Sequence, residues 1–390
     1  MSATEVSRQV EQLLALHIDE QKVDESTLHR LTLLVMGILH GKSASPARIA
    51  SAIKTLGLSN ATPASIERQI RRLENDPELD ASVCFHPFAR MRLCLAKTQR
   101  LYLILDPTTQ EDRVVMVSVA VWYRGRALPL AWAIWPANQP LEGAGFWDRI
   151  EALLDIVKPL LPVQREIIWF ADRAFGTPVF IDLLVERGWH YVIRVQGQTH
   201  YRDRAGKEGS IQSLLRYGKR AKMRGEVFKK AGWRPNSVVV YWGKNHQSPL
   251  CLVSDLHPDW SLIALYRRRY PIEATFRDYK SYGWHWEQGQ VIDLKHMQRL
   301  LIGMALATWV ALFIGTQVAK EILDSYQTNH HRRTRPYEGK RSLFQLGLER
   351  FEAWISGACT PILTYSLTDW TAPNWEDQLY FLVARQYVFA

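Results

Sequence analysis

Leu101-Tyr102-Leu103-Ile104-Leu105-Asp106 is an unbroken apolar run closed by a carboxylate. A run without polar alternation marks a strand covered on both faces, and such a strand needs helices on either side of its sheet. Reading outward, a second strand is expected over 114–122, a turn at Tyr123-Arg124-Gly125-Arg126, and a third strand over 128–135 broken by Pro129. A helix over 146–161 precedes Glu166-Ile167-Ile168-Trp169-Phe170-Ala171, a second buried strand that runs into Asp172. A helix over 178–187 and a strand over 191–195 follow. Three strands in a meander, then helix alternating with strand, predict an α/β fold: a mixed sheet with flanking helices.

The flanks have different character. Residues 1–95 read as a helical domain, with stripes at Val10, Leu13, Leu14, His17 and at Leu28, Leu31, Val35, Ile38. Ser45-Pro46 and Thr62-Pro63 are each a cap residue followed by a helix-starting proline. The second of these helices carries Arg68, Arg71 and Arg72 on one face. The pair, joined around Gly57, reads either as a helix-turn-helix presenting residues 62–74 to DNA or as a small bundle with a solvated face. Residues 196–255 are read as a β-rich insertion: a basic stretch over 216–230, then strand-like runs over 237–242 and 249–254. The insertion divides an α/β unit into 96–195 and 256–325. Residues 326–390 comprise a basic loop over 330–341, a helix over 343–355 and an aromatic tail.

Residues 300–319 carry no charge, a stretch long enough to cross a bilayer. Thr308, Thr316 and Gln317 interrupt it, and the reading here is a central core helix with no membrane contact. Composition narrows the partner. Lys and Arg number 49 against 39 Asp and Glu, a net charge of +10 that points to a polyanion. A 47% hydrophobic chain with 23% charged residues is not a disordered one. Cys84, Cys94, Cys251 and Cys359 lie far apart without a CxxC pair, which excludes a zinc ribbon or disulfide framework. With a polar N-terminus lacking a leader, a reducing cytoplasmic setting is expected.

Chemistry is expected from three carboxylates. Asp106 and Asp172 end buried strands, and Glu273 lies on a helix after the insertion. Strand ends meet at one edge of a sheet, so the two Asp side chains can converge there. Carboxylates without histidine or thiol partners suit Mg²⁺ or Mn²⁺, and two such ions about 4 Å apart serve phosphodiester chemistry. The blander alternatives are turn-capping aspartates or a metal-free acid/base pair. Glu273 sits in Tyr266-Arg267-Arg268-Arg269-Tyr270-Pro271-Ile272-Glu273-Ala274-Thr275-Phe276-Arg277-Asp278-Tyr279-Lys280. On a helix, Arg269 and Glu273 are one turn apart and Lys280 shares their face. A solvated salt-bridge row would look the same. Pro271 is expected to start the helix.

Tyr266, Arg269, Glu273 and Lys280 together resemble the Tyr-Arg-Glu-Lys signature of the insertion-sequence-four group of bacterial DDE transposases and its seven-hundred-and-one relatives. Asp172-Arg173-Ala174-Phe175-Gly176 is similar to that group's second motif, with Ala in a Gly place, and Asp106-Pro107-Thr108 to its first. The likeness runs over about 101–320. It implies an RNase-H-like sheet interrupted by a β-rich insertion, with Asp106, Asp172 and Glu273 as catalytic ligands of two Mg²⁺ or Mn²⁺ ions. It further implies cut-and-paste transposition: hydrolysis at the transposon ends, then attack of the freed 3′-hydroxyl on the opposite strand to form a hairpin, or on target DNA after release. Arg269 and Lys280 would supply positive charge, and Tyr266 and Arg173 would hold phosphates. Trp242 or Trp233 would stack on a flipped base, unless they are core tryptophans. Arg68, Arg71 and Arg72 would contact the terminal repeats. The expected partner is double-stranded DNA, bound by a homodimer in the bacterial cytoplasm at the nucleoid. The alternative is an RNase-H-fold nuclease or domesticated transposase that cleaves DNA without strand transfer.

Overall fold

The computed structural model describes residues 2–16, 23–139, 145–217, 219–243, 247–289, 291, 293–328, 341–364 and 367. The basic loop over 330–340 and most of the aromatic tail lie outside them.

The chain opens with α1 (Ser2–Ala15), α2 (Glu25–Gly41), α3 (Pro46–Thr55), α4 (Pro63–Asn75), α5 (Ala81–Cys84) and α6 (His86–Leu95). The starts follow local rules. Asp24 accepts from the Thr27 amide, Thr62 accepts from the Ser65 amide, and Pro46 and Pro63 occupy first-turn positions whose missing N–H leaves no bond unmade. On α4, Ile66, Ile70 and Leu73 are buried while Arg68, Arg71 and Arg72 face out. The connection over 56–62 is longer than the three-to-four-residue turn of a helix-turn-helix. Helices α2, α3 and α4 pack together as a bundle.

The sheet begins at β1 (Arg100–Gln110), β2 (Val114–Tyr123) and β3 (Arg126–Pro136). After α7 (Phe146–Val157) come β4 (Glu166–Ala171), α8 (Pro178–Glu186) and β5 (His190–Arg194). Five more strands follow: β6 (His200–Asp203), β7 (Glu208–Ser210), β8 (Arg220–Val227), β9 (Arg234–Tyr241) and β10 (Leu250–Ser254). All ten join one sheet in the order β3-β2-β1-β4-β5-β10-β9-β8-β6-β7. Strands β1, β4 and β5 run parallel, and the other pairings are antiparallel. Strand β3 is an edge. That position tolerates Pro129, which sits opposite a register break and whose carbonyl takes the Trp309 indole N–H at 2.9 Å.

The remaining helices are α9 (Ser261–Tyr266), α10 (Pro271–Arg277), α11 (Leu294–Thr328) and α12 (Leu343–Ile355). Helix α11 packs against α2, α4, β3 and α12. Its most apolar window is 94% buried within the fold. The uncharged stretch over 300–319 is therefore core, as a helix apolar on every side must be in a large folded chain.

Two expectations need correction, and one segment gains detail. Asp106 does not end β1, which continues to Gln110, because β2 still pairs with it there after β4 has stopped. The basic run over 216–230 falls partly on a strand. Arg220, Lys222 and Arg224 share one face of β8 by period-two alternation while the strand pairs with β9, and Lys229 and Lys230 lie in the 3₁₀ turn that follows. The helix over 146–161 ends as α-helix at Val157 and closes in a 3₁₀ turn containing Pro159.

Candidate active site

Register brings the first two carboxylates together. Leu105 on β1 is level with Ala171 on β4, and Ala171 with Ile193 on β5. The next residue in each case is Asp106, Asp172 and Arg194. Asp172 keeps an extended backbone (φ −77°, ψ 174°), so the three side chains leave the same side of the sheet at neighbouring-strand spacings of about 4.8 Å. The turn that follows is built by its motif. Phe175 is buried, and Gly176 lies so close to the Arg194 carbonyl and Val195 that a Cβ would collide. Ala174 is exposed, so Ala in a Gly place costs nothing sterically.

The third carboxylate arrives across that face. The 3₁₀ turn Arg267–Arg269 joins α9 to α10 and packs on β1 and β4. Arg268 anchors it by lying over the rings of Tyr102 and Trp122, at 4.6 and 5.0 Å. Pro271 starts α10, as expected, and Glu273 falls in its first turn. The Arg269 guanidinium then bridges two acids. Nη1 donates to Glu273 Oε1 at 2.7 Å, and Nη2 stands 3.6 Å from Asp106 Oδ2. Arg194 Nη1 is 3.7 Å from Asp172 Oδ1.

Electrostatics bind the group into one unit. Burial pushes the Asp106 carboxyl up to about 7; Arg269 opposes the rise, while Asp172 and Glu273 add to it. The Arg269 guanidinium is held above its ordinary value: burial works against its charge, and Asp106, Tyr266, Asp172 and Glu273 outweigh that. Tyr266 is buried, and its phenol is pushed up by burial. Among the described residues, no three His, Cys, Asp or Glu side chains are close enough to hold a metal ion together. The carboxylates instead share an arginine. Their chemistry still suits a hard divalent ion: oxygen donors only, from like-charged acids whose mutual repulsion adds to the burial that raises Asp106.

Lys280 does not continue a regular stripe. It lies in a π-helical turn, Asp278–Tyr282, which changes the angle per residue, and its Nζ pairs with Glu287 Oε1 at 3.3 Å. Arg173 is exposed beside Asp172. Trp242 is 45% exposed and so is not a core residue, and Trp233 carries the Arg202 guanidinium 4.7 Å from its ring centre. Arg68, Arg71 and Arg72 stay on the solvent side of α4, apart from this cluster, with Arg71 paired to Glu67 at 2.7 Å. Two residues were missed by sequence reasoning. Arg194 and Glu287 belong to no motif, and only strand register and the π turn reveal them.

A mixed sheet ordered β3-β2-β1-β4-β5, helices packed on it, and acids within β1, just past the end of β4 and on α10 fit an RNase-H-like transposase. Residues 148–310 match the family model described as the transposase DDE domain, which supports a DDE transposase and ties the chain to DNA transposition and mobile elements. The matched segment contains Asp172, Arg194 and Glu273, and begins after Asp106. No curated protein matches the chain. A transposase of this kind is expected to bind DNA, and its family generally uses divalent metal ions.

Proposed function

We propose that the chain is a cut-and-paste DNA transposase of the Tyr-Arg-Glu-Lys type, with Asp106, Asp172 and Glu273 as ligands of two Mg²⁺ or Mn²⁺ ions. One observation carries the reading: acids from β1, the end of β4 and α10 meet in the field of a single guanidinium, although Asp172 and Glu273 lie 66 and 167 residues beyond Asp106 in the chain. Ions held there supply Lewis-acid charge to a phosphodiester during hydrolysis and strand transfer. The protein's own residues do the rest. Arg269 and Lys280 offset charge that develops on the phosphate, and Tyr266 and Arg173 steady phosphates on either side of the cut. Residues 196–255 act as an insertion that lays Trp242 against an unstacked base. Residues 1–95 act as the DNA-binding domain, with Arg68, Arg71 and Arg72 on the terminal repeats. Two copies acting on paired DNA ends, in the cytoplasm at the nucleoid and off the membrane, complete the reading.

The test is a strand-transfer assay with pre-cut ends and Mg²⁺. Joined products that vanish in EDTA and in Asp172→Asn are expected. Cleavage without joining would replace this reading with a nuclease or domesticated transposase, and activity that persists in EDTA would remove the metal chemistry.

A further inference from the structure

Every one of the three acids has an arginine beside it. Arg269 spans Glu273 and Asp106, and Arg194 flanks Asp172. The two sides differ in burial. The side chains of Arg269 and Asp106 are 8% and 9% exposed, whereas Glu273 is 55% exposed. Like-charged acids in so poorly hydrated a place need a resident cation, and Arg269 supplies it in the chain as it stands. The guanidinium is incompletely satisfied: its Nε is buried without a hydrogen-bond partner, and its approach to Asp106, at 3.6 Å, is an ion pair without a hydrogen bond. It is held by charge, by the Tyr270 ring 5.5 Å from its centre and by one good bond to an exposed glutamate, not by a full hydrogen-bond network.

We propose that Arg269 is an exchangeable counter-ion of the carboxylate site, occupying the acids until divalent cations displace it, and that the displaced guanidinium then takes a DNA phosphate. The inference rests on the metal-site reading above and goes beyond it. Arg269 already draws on Asp106 Oδ2 and Glu273 Oε1, so a divalent ion brought to these acids competes with it for those oxygens and repels its charge. A guanidinium pushed off two acids at a buried position needs another anion, and a phosphate offers the same forked geometry. Metal and phosphate therefore load cooperatively, each favouring the other by the same factor, and the DNA-free protein holds its metal weakly. The arrangement would restrain unprogrammed cleavage before an end is seated.

The experiment is a Mn²⁺ titration of the full chain without DNA, read by calorimetry and by the electron-spin signal of free Mn²⁺, at about pH 8 so that the acids are ionised in every variant. Arg269→Gln is expected to bind Mn²⁺ roughly tenfold more tightly than the wild type, the equivalent of one charge-assisted hydrogen bond no longer competing. Arg269→Lys keeps the charge but cannot fork across two acids. It is expected to fall between the two, and it keeps the test open if the Gln variant does not fold. Unchanged or weaker Mn²⁺ binding in a folded Arg269 variant overturns the exchange. Asp172→Asn and Glu273→Gln report on the underlying site: wild-type Mn²⁺ binding in both would overturn the metal-site reading itself, a failure distinct from that of Arg269.

Discussion

Arg194, the last residue of β5, holds its guanidinium 3.7 Å from the Asp172 carboxylate just past the end of β4. Neighbouring parallel strands create this pairing, and nothing in the order of residues announces it. Arg194→Gln is expected to slow DNA cleavage about tenfold or more at saturating DNA, with little change in end binding, and Arg194→Lys to recover part of the rate. A uniform loss of stability and DNA affinity in both variants would show Arg194 to be a framework residue.

The three acids are expected to behave as a unit. Asp106→Asn, Asp172→Asn and Glu273→Gln should each reduce cleavage at least about a hundredfold. Combining any two should add little, because residues of one site are not additive. End binding by gel shift should survive in all three. Cleavage retained in any single variant would remove that residue from the site.

Asp106 makes stability depend on pH. Its carboxyl keeps a proton up to about 7 in the folded chain, against an ordinary value of 3.8. The folded state thus binds the proton more strongly, a contribution fully present below the ordinary value and lost as pH rises through about 7. Melting curves of wild type and Asp106→Asn without metal should therefore shift in favour of the variant as pH is raised from about 4 to about 7. Because a ligating carboxylate must shed its proton, apparent metal affinity should climb over the same window in the wild type. A pH-independent difference between the two proteins would contradict the raised value.

Helices α11 and α12 cross where Gly315 and Gly347 meet the opposing backbone. A Cβ on Gly315 would collide with the Leu343 carbonyl, and one on Gly347 with that of Ala311. Gly315→Ala and Gly347→Ala should each destabilise the fold by about 1–3 kcal/mol, visible as a lower melting temperature. Either substitution leaving the melting temperature unchanged would mean that the helices do not approach this closely.

On α4, replacing Arg68 and Arg72 with Gln should weaken end binding and flatten its salt dependence, by roughly 0.9 in slope for each phosphate contact removed. Cleavage of saturated complexes should hold. An unaltered slope would leave the arginine face as a solvated surface.

Much of the site was legible because its motifs are local. Asp172 through Gly176 form a continuous turn, and Tyr266, Arg269 and Glu273 fall within one short segment. The apolar runs around Leu103 and Trp169 likewise announce buried strands, since a fully covered strand needs no polar alternation. Strand β8 was harder to see. Its alternating charged residues obscure the strand pattern, because one face of that strand meets solvent, and its backbone bonds are made by β9 immediately after the connection over 228–233. The π turn at Lys280 was equally hidden, since a helical stripe drawn from spacing assumes one angle per residue throughout.

The order of residues by itself determined the buried strands, the proline-started helices, the core character of α11 and the three acids, because each depends on nearby residue types or on hydrophobic period. Only the folded chain decided that Arg269 would stand between Asp106 and Glu273, that Arg194 would face Asp172, and that five later strands would extend the same sheet. Those are contacts between distant segments, and their partners are chosen by strand register and by the burial of charge, neither of which a local pattern contains.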